Sequence, residues 1–577
     1  MKLSVAITIA FLLLCSSITY AQETTAKTKT ADTDKREKVV ELLKSLANQV
    51  GTLQSPENRA RIGANIAESL WKYDENRART LFIAIEEDIK LGFQDRDLED
   101  QADMLTIRVF HKLRADTVQR IANYDAEFAL NFLQATEPPE ESTALIPADY
   151  QDTLEVQLAK QIMGSNPDIA LKLGRQSLSR GFSNDLVGLL RQLHRKHRDK
   201  AVMLYKEVVQ KLRDVDFDEN SEVIEFARSL ATTITPPTAD EAAYRELINV
   251  LISTALASEC DKTPKEEEDQ NPFCYQISSL IATMEKIDPV RTRKLKHLAP
   301  ARDSQNWEAM QQGYTELQEV AADGTIEETL ALADKYPAMD FTIYTQAIMK
   351  AYESGDTERA KKIAASYPKP EGRELLNAQL GSMTALAEVT EEQLAEFQKS
   401  LETIPSERMR LSLINELTNR AGGNKKLALK LIDQAAEMIE RIKSPAEKTD
   451  ARLTLAASYC SQGSDRGLEI VESEIPKLNE LISAAMKLDG FDTSYLRDGE
   501  WNMSANGTIG NLLTVLAQNA GDFARCDFDR AWSLAAQFER NEIRMMAQVK
   551  LAQSMLSATP PKRRNFNSRV YLGHITY

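Results

Sequence analysis

Few positions in this chain combine residue type and spacing in a way that could do chemistry. His194 and His197 stand three apart in a stretch patterned as a helix, which would turn both imidazoles toward one metal ion. Their neighbours are Arg191, Arg195, Lys196, Arg198 and Lys200, which repel a cation and offer no acidic ligand. The pair therefore reads as surface histidines and the basic cluster as a solvated face. Asp214, Asp216, Asp218, Asn220 and Glu225 fall at positions 1, 3, 5, 7 and 12 of a calcium loop. Position 6, where the sharp turn requires Gly, is Glu219, so a solvated turn opening the next helix is the better account. No metal site is expected. His111, His297 and His574 are isolated, and the metalloprotease, nucleophile-elbow, phosphate-loop and dinucleotide patterns are all missing from the sequence. No catalytic residue and no cofactor is assigned.

The pattern best suited to binding lies late in the chain. Residues 489–510 read DGFDTSYLRDGEWNMSANGTIG, a long interruption of an otherwise helical sequence, and long loops in helical proteins are often functional. Tyr495, Asp498, Glu500 and Trp501 are the candidate ligand-binding residues, because an exposed ring can stack on a sugar or peptide while adjacent carboxylates accept hydrogen bonds. The bland alternative is that Trp501 plugs the loop onto the last helices.

The elements that must position these residues are helices. Gly and Pro, at 22 and 19 of 577 residues, are both scarce, and Ala, Leu, Glu and Lys recur at helical spacing. Residues 1–21 have the form of a secretory signal: Lys2, an apolar core from Leu3 to Leu14, and a small-residue cleavage site at Thr19-Tyr20-Ala21. That core is shorter than the roughly 20 residues of a membrane span, so a secreted or periplasmic protein with no transmembrane segment is expected. Cys15 offers an alternative lipoprotein reading, which Leu14 disfavours by standing where a small residue is wanted. Cleavage after Ala21 moves the formal charge from −16 to −17, since the segment holds one lysine and no acid. So acidic a chain is not expected to bind nucleic acid, whose phosphates require Lys and Arg.

Four cysteines follow the signal, Cys260, Cys274, Cys460 and Cys526, an even number for an oxidising compartment. Three pairings are open. The shortest loop favours Cys260 with Cys274, bracketing an acidic stretch from Asp261 to Pro272, and leaves Cys460 with Cys526.

Internal repetition fixes the fold class. Gly324-Thr325-Ile326-Glu327-Glu328 through Tyr336-Pro337 is echoed 31 residues later by Gly355-Asp356-Thr357-Glu358-Arg359 through Tyr367-Pro368. The Gly should close one helix in a left-handed turn, Thr or Asp cap the next, and Pro end it. Looser turns precede Ala78, Ala129, Ala170, Ala201, Ala428 (Gly423-Asn424), Leu468 and Ala531 (Gly521-Asp522), small or apolar residues that let paired helices approach. Hairpins that cannot bury their apolar stripes alone must stack, so we expect an all-α, right-handed α-solenoid of stacked helical hairpins. With Tyr344 at the aromatic position and Gly355-Asp356 then Ala360 at the turn and small position, the chain resembles the tetratricopeptide-like helical-hairpin family. Ile348, where that family has a small residue, and Pro368, about a turn early, depart from its pattern. The resemblance implies a concave binding surface and nothing about its ligand.

The expected organisation is a signal at 1–21, a polar linker at 22–36, repeat regions at 37–300 and 301–559, and a basic tail at 560–577. The acidic loop marks where a boundary between two halves could fall. A protein- or peptide-binding scaffold of the cell envelope is the leading expectation. An all-helical envelope enzyme acting on polysaccharide or peptide and a purely structural envelope protein are the rivals. Glu68-Ser69 resembles the acid-containing dipeptide of lytic transglycosylases, but no lysozyme-like region surrounds it and Glu68 reads as an ordinary helical glutamate.

Overall fold

The computed structural model describes residues 34–557 except 95, 98, 140–141, 143–149, 216, 218–220, 237–239, 262–271, 299–309, 311–312, 319, 322–323, 386–413, 415–417, 419–424, 492–493 and 505–506. The expected signal segment, most of the linker, the acidic loop, the Gly423-Asn424 turn and the basic tail lie outside the described residues. The linker is shorter than expected: a helix already runs from residue 34.

The fold is all-α, built of consecutive antiparallel helical hairpins. The opening hairpins comprise α1 (34–49), α2 (Pro56–Leu70), α3 (Glu75–Phe93), α4 (Gln101–Ala122) and α5 (Ala126–Ala135). Then come α6 (Tyr150–Ile162), α7 (Pro167–Arg180), α8 (Asn184–Lys196), α9 (Arg198–Leu212), α10 (Ser221–Thr233), α11 (Glu241–Ala257) and α12 (Pro272–Ile277). After short helical turns at 281–298, the chain continues with α13 (Ile326–Lys335), α14 (Asp340–Glu353), α15 (Thr357–Ser366) and α16 (Pro370–Ala385). The last run is α17 (Lys425–Glu440), α18 (Pro445–Ser461), α19 (Arg466–Lys487), strands β1 (Leu496–Arg497) and β2 (Glu500–Trp501), α20 (Thr508–Gln518), α21 (Ala520–Cys526), α22 (Phe528–Ala535) and α23 (Asn541–Leu556). Among the described residues no helix is long and apolar enough to cross a membrane.

Two compact units emerge, and they are not sequential halves. The first joins the chain up to Tyr124, Ala129–Leu145 and everything from Val389, and the second takes Asp125–Phe128 and Ile146–Glu388. The boundary expected at residue 300 is displaced because the final helices pack on the first ones: α23 lies against α2 within the first unit. A solenoid end exposes an apolar stripe, and here the last hairpins cover the stripe of the first.

Turn chemistry builds each hairpin as the sequence suggests. Asp74 caps α3 by accepting from the Arg77 N–H at 3.1 Å, Asn166 caps α7 from Ile169 N–H at 3.3 Å, and Asp356 caps α15 from Arg359 N–H at 3.0 Å. Thr325 and Glu328 form a reciprocal capping box at α13. Ala78, Ala129, Ala170, Ala201, Ala360, Ala428, Leu468 and Ala531 are all buried at helix crossings. One close crossing belongs to Gly467, where a Cβ would stand 2.4 Å from the Ala456 carbonyl oxygen of the facing α18.

Two turns differ from expectation. Gly355 takes the left-handed conformation at φ 85°, but Gly324 does not, because the Lys350 ammonium reaches back from α14 to the carbonyls of Val320, Ala321 and Gly324 and satisfies them directly. Gly521-Asp522, expected as a turn, lies inside α21, and the turn falls at Asp527, which caps α22 through Arg530 N–H.

The core is divided hairpin by hairpin. In the second unit, Leu317, Val320, Tyr336 and Ile343 form one cluster, and Ala347, Ile363, Tyr367 and Leu376 form the next. Cys260 and Cys274 are disulfide-bonded across a Cα separation of 5.4 Å, fastening α12 beside the end of α11. The other pairing is corrected in part: Cys460 and Cys526 of the first unit meet as free thiols in hydrogen-bond contact, with the Cys526 thiol also donating to the Ser464 carbonyl at 3.4 Å. Burial raises both thiol pKa values, which keeps the pair protonated.

Candidate functional site

The late interruption folds as a short hairpin rather than an open loop. Asp489 accepts hydrogen bonds from the N–H groups of Tyr495 and Leu496 at 2.6 and 2.9 Å, and β1 then pairs antiparallel with β2. Asp498 and Gly499 turn the chain with φ of 53° and 77°, both in the region that a two-residue primed turn requires. This Asp-Gly step is a hairpin signal that the sequence carried and the loop reading passed over.

Register then decides what each candidate residue does. Trp501, read as exposed-looking in sequence, is only 2% exposed and packs into the core of α18–α23 with Tyr495 stacked on it at 5.6 Å. Asp498 is exposed at the turn tip. Glu500 is buried and accepts from the backbone N–H groups of Gln54 and Ser55 at 2.8 and 3.2 Å and from the Asn58 amide at 3.1 Å. The Trp501 N–H donates to Glu542 of α23 at 2.7 Å, and its carbonyl accepts from Asn58 of α2 at 3.1 Å. Arg497 pairs with the buried Glu57, which also takes the Ser504 hydroxyl at 2.7 Å. The hairpin is thus a strap fastened to the start of α2 on one side and to α23 on the other.

Beneath this strap lies a partly open apolar cavity of about 430 Å³, lined by α19–α23, the Trp501 indole and Arg61 of α2. Its walls are side chains such as Ile475, Leu513, Phe523, Leu534 and Leu551, and its polar lining is limited to Arg61, Thr514, Gln518 and Lys550. That size and character fit the interior of a small-ligand or side-chain pocket. The Lys550 ammonium donates to the amide oxygens of Asn65 and Gln553 at 2.8 and 3.0 Å. Burial, with Arg120 and Arg61 adding repulsion against the pull of Glu68, brings its pKa down to about 8. Arg61 gives one guanidinium nitrogen to Glu57 and Ser504, both within 2.8 Å, while its Nε is buried with no hydrogen-bond partner among the described residues.

The remaining sequence candidates do not assemble. His194 closes α8 but His197 is the connecting residue before α9, with φ −144°, so the two do not share a helix face. Asp216, Asp218 and Asn220 lie outside the described residues, and Glu225 is paired with Arg228 at 2.6 Å. Glu68 sits on α2 paired with Arg120. Among the described residues no group of three or more His, Cys, Asp or Glu is placed to hold a metal ion. His111 is a different matter: it is buried against Phe93 at 4.8 Å, and burial takes its pKa down to about 4. Sequence reading missed Arg61 and Lys550, and no local signal could have found them, because their meeting depends on contacts between α2 and α23 across 485 residues.

No family model matches the chain, and no curated protein matches it. Among solved structures, it is similar to a circular tandem repeat protein with novel repeat topology and enhanced subunit contact surfaces, at 13% identity and a TM-score of 0.20, covering 90% of this chain and 96% of that one. It is also similar to a homology model of the full-length AP-3 complex in an intermediate open conformation, at 10% identity and a TM-score of 0.20, covering 89% and 93%. At those scores neither likeness bears on the site.

Proposed function

We propose that this chain is an exported, tetratricopeptide-like binding scaffold of the cell envelope that holds a peptide or protein partner by an apolar group seated in the cavity beneath the β1–β2 strap. The observation that carries the reading is the cavity itself, about 430 Å³ and walled by aliphatic and aromatic side chains. The nearby buried carboxylates count against a hydrolase reading. Glu57, Glu500 and Glu542 are taken up by arginine, backbone and hydroxyl donors, which leaves them as fasteners rather than acid–base groups. The signal-like segment at residues 1–21 supports an exported location for such a scaffold.

The test is paired affinity capture from an envelope extract, with the full chain and its Ala547→Phe variant as baits. Ala547 lines the cavity, and a phenyl ring there would occupy it. A partner retained by the first bait and lost from the second, with both baits melting at similar temperatures, supports the reading. A partner retained equally by both, or none at all, overturns it.

A further inference from the structure

The polar side of the cavity says what kind of apolar group would enter. Of its four polar lining residues two are neutral and two are cationic, Arg61 and Lys550, and no acid lines it. An ammonium has three donors, and the two hydrogen bonds of Lys550 go to neutral amide oxygens, leaving one donor and the whole charge without a carboxylate. Arg61 differs in having a carboxylate, its Nη2 serving Glu57 and Ser504, but its buried Nε has no acceptor among the described residues. Buried donors without acceptors are costly, and a buried charge more so, unless something supplies the missing partner. Both residues belong to elements of one unit, α2 and α23, which the strap fixes together.

We infer that the cavity takes an apolar group ending in a carboxylate, its body among the aliphatic walls and its two oxygens received by the Lys550 ammonium and the Arg61 Nε. A carboxylate is acceptor-only, so it fits an all-donor end where an alcohol or amide would leave a donor facing a donor. The depressed pKa of Lys550 agrees, since burial first and the nearby Arg120 and Arg61 second disfavour its charge, and the pull of Glu68 does not offset them. Two sources share this chemistry, the C-terminus of a peptide with a large apolar last residue and a medium-chain fatty acid. The inference rests on the cavity being a binding site, and takes the first of these as the partner's end.

Calorimetric titration of the full chain separates the cases. The probes are an N-acetylated tetrapeptide ending in phenylalanine as the free acid, the same peptide as its C-terminal amide, decanoate, and decanol. The free acid should bind at least about ten-fold tighter than the amide, and decanoate than decanol. Lys550→Met, which keeps the apolar stem, should erase both preferences, with Lys550→Gln as the second variant should the first fail to fold. Equal binding of acid and amide would overturn the carboxylate assignment and leave the peptide-scaffold reading standing. Decanoate binding with neither peptide would keep the carboxylate assignment and remove the peptide reading. Silence from all four probes, or binding that survives Ala547→Phe, would overturn both.

Discussion

The strapped site of the first unit and the regular repeats α13–α16 of the second are both built of helical hairpins, by opposite means. In the repeats, each cap, tyrosine and alanine works within one hairpin or its neighbour: Tyr367 donates to Asp340 at 2.9 Å, 27 positions away. At the strap, Glu500 and Trp501 bind partners 442 to 446 positions away, through buried and fully engaged polar groups. Local repetition is tolerant, since a defect stays in one hairpin, whereas the strap concentrates long-range contacts on a few side chains.

Substitutions should expose that difference. Trp501→Ala removes a side chain that is 2% exposed and opens onto an existing cavity, so denaturant unfolding should show a loss of about 3–5 kcal/mol confined to the first unit's transition. A loss shared by the second unit's transition would break the comparison. Acid should act nearly as strongly on the first unit. The folded imidazole of His111 takes its proton near pH 4 against an ordinary value of 6.5, so between those values the unfolded chain binds the extra proton and stability falls with pH, by about 3 kcal/mol in all. Melting curves of His111→Phe should lose that slope over the same window. Glu500→Ala strands two backbone N–H groups and an amide, for an expected cost of about 2–3 kcal/mol in the same denaturant assay.

The regular repeats should answer more quietly. Asp356→Ala forfeits one helix cap and Gly355→Ala forces a Cβ into the left-handed region, each costing about 1 kcal/mol by chemical denaturation. Breaking the exposed Arg359–Glu327 pair with Arg359→Ala should change stability by under about 0.5 kcal/mol. A value as large as that for Glu500 would mean that the repeats, too, depend on their charges.

What the sequence disclosed follows the same divide. Capping residues, turn glycines and the small residues after each turn act over one helical turn, so Thr325, Asp356, Gly355 and Ala360 were readable in order. Even the strap had a local sign, the Asp498-Gly499 step. The burial of Trp501 against the last helices stood in the sequence as the alternative to a binding role, and what stayed hidden was what depends on distant chain segments meeting: the use of Glu500 as a fastener, and the placing of Lys550 and Arg61 on one cavity. The Cys460 and Cys526 encounter was anticipated by elimination, though not the thiol state in which the structure holds it.

The contact of first and last helices also sets an order of assembly. Lys38 of α1 meets Asp529 of α22 at 2.7 Å across 491 positions, and Asn65 meets Lys550 across 485. Closing so long a loop adds little to the equilibrium cost, because that term grows only logarithmically, but contacts of this range slow the search for the native state. The repeats of the second unit pack on partners close in sequence, whereas α2, which already pairs with α3 and α4, lacks its distant neighbour until Asn541–Leu556 exists. A polypeptide ended before α23 would therefore keep the α2–α3 hairpin but leave bare the side of α2 that α23 covers.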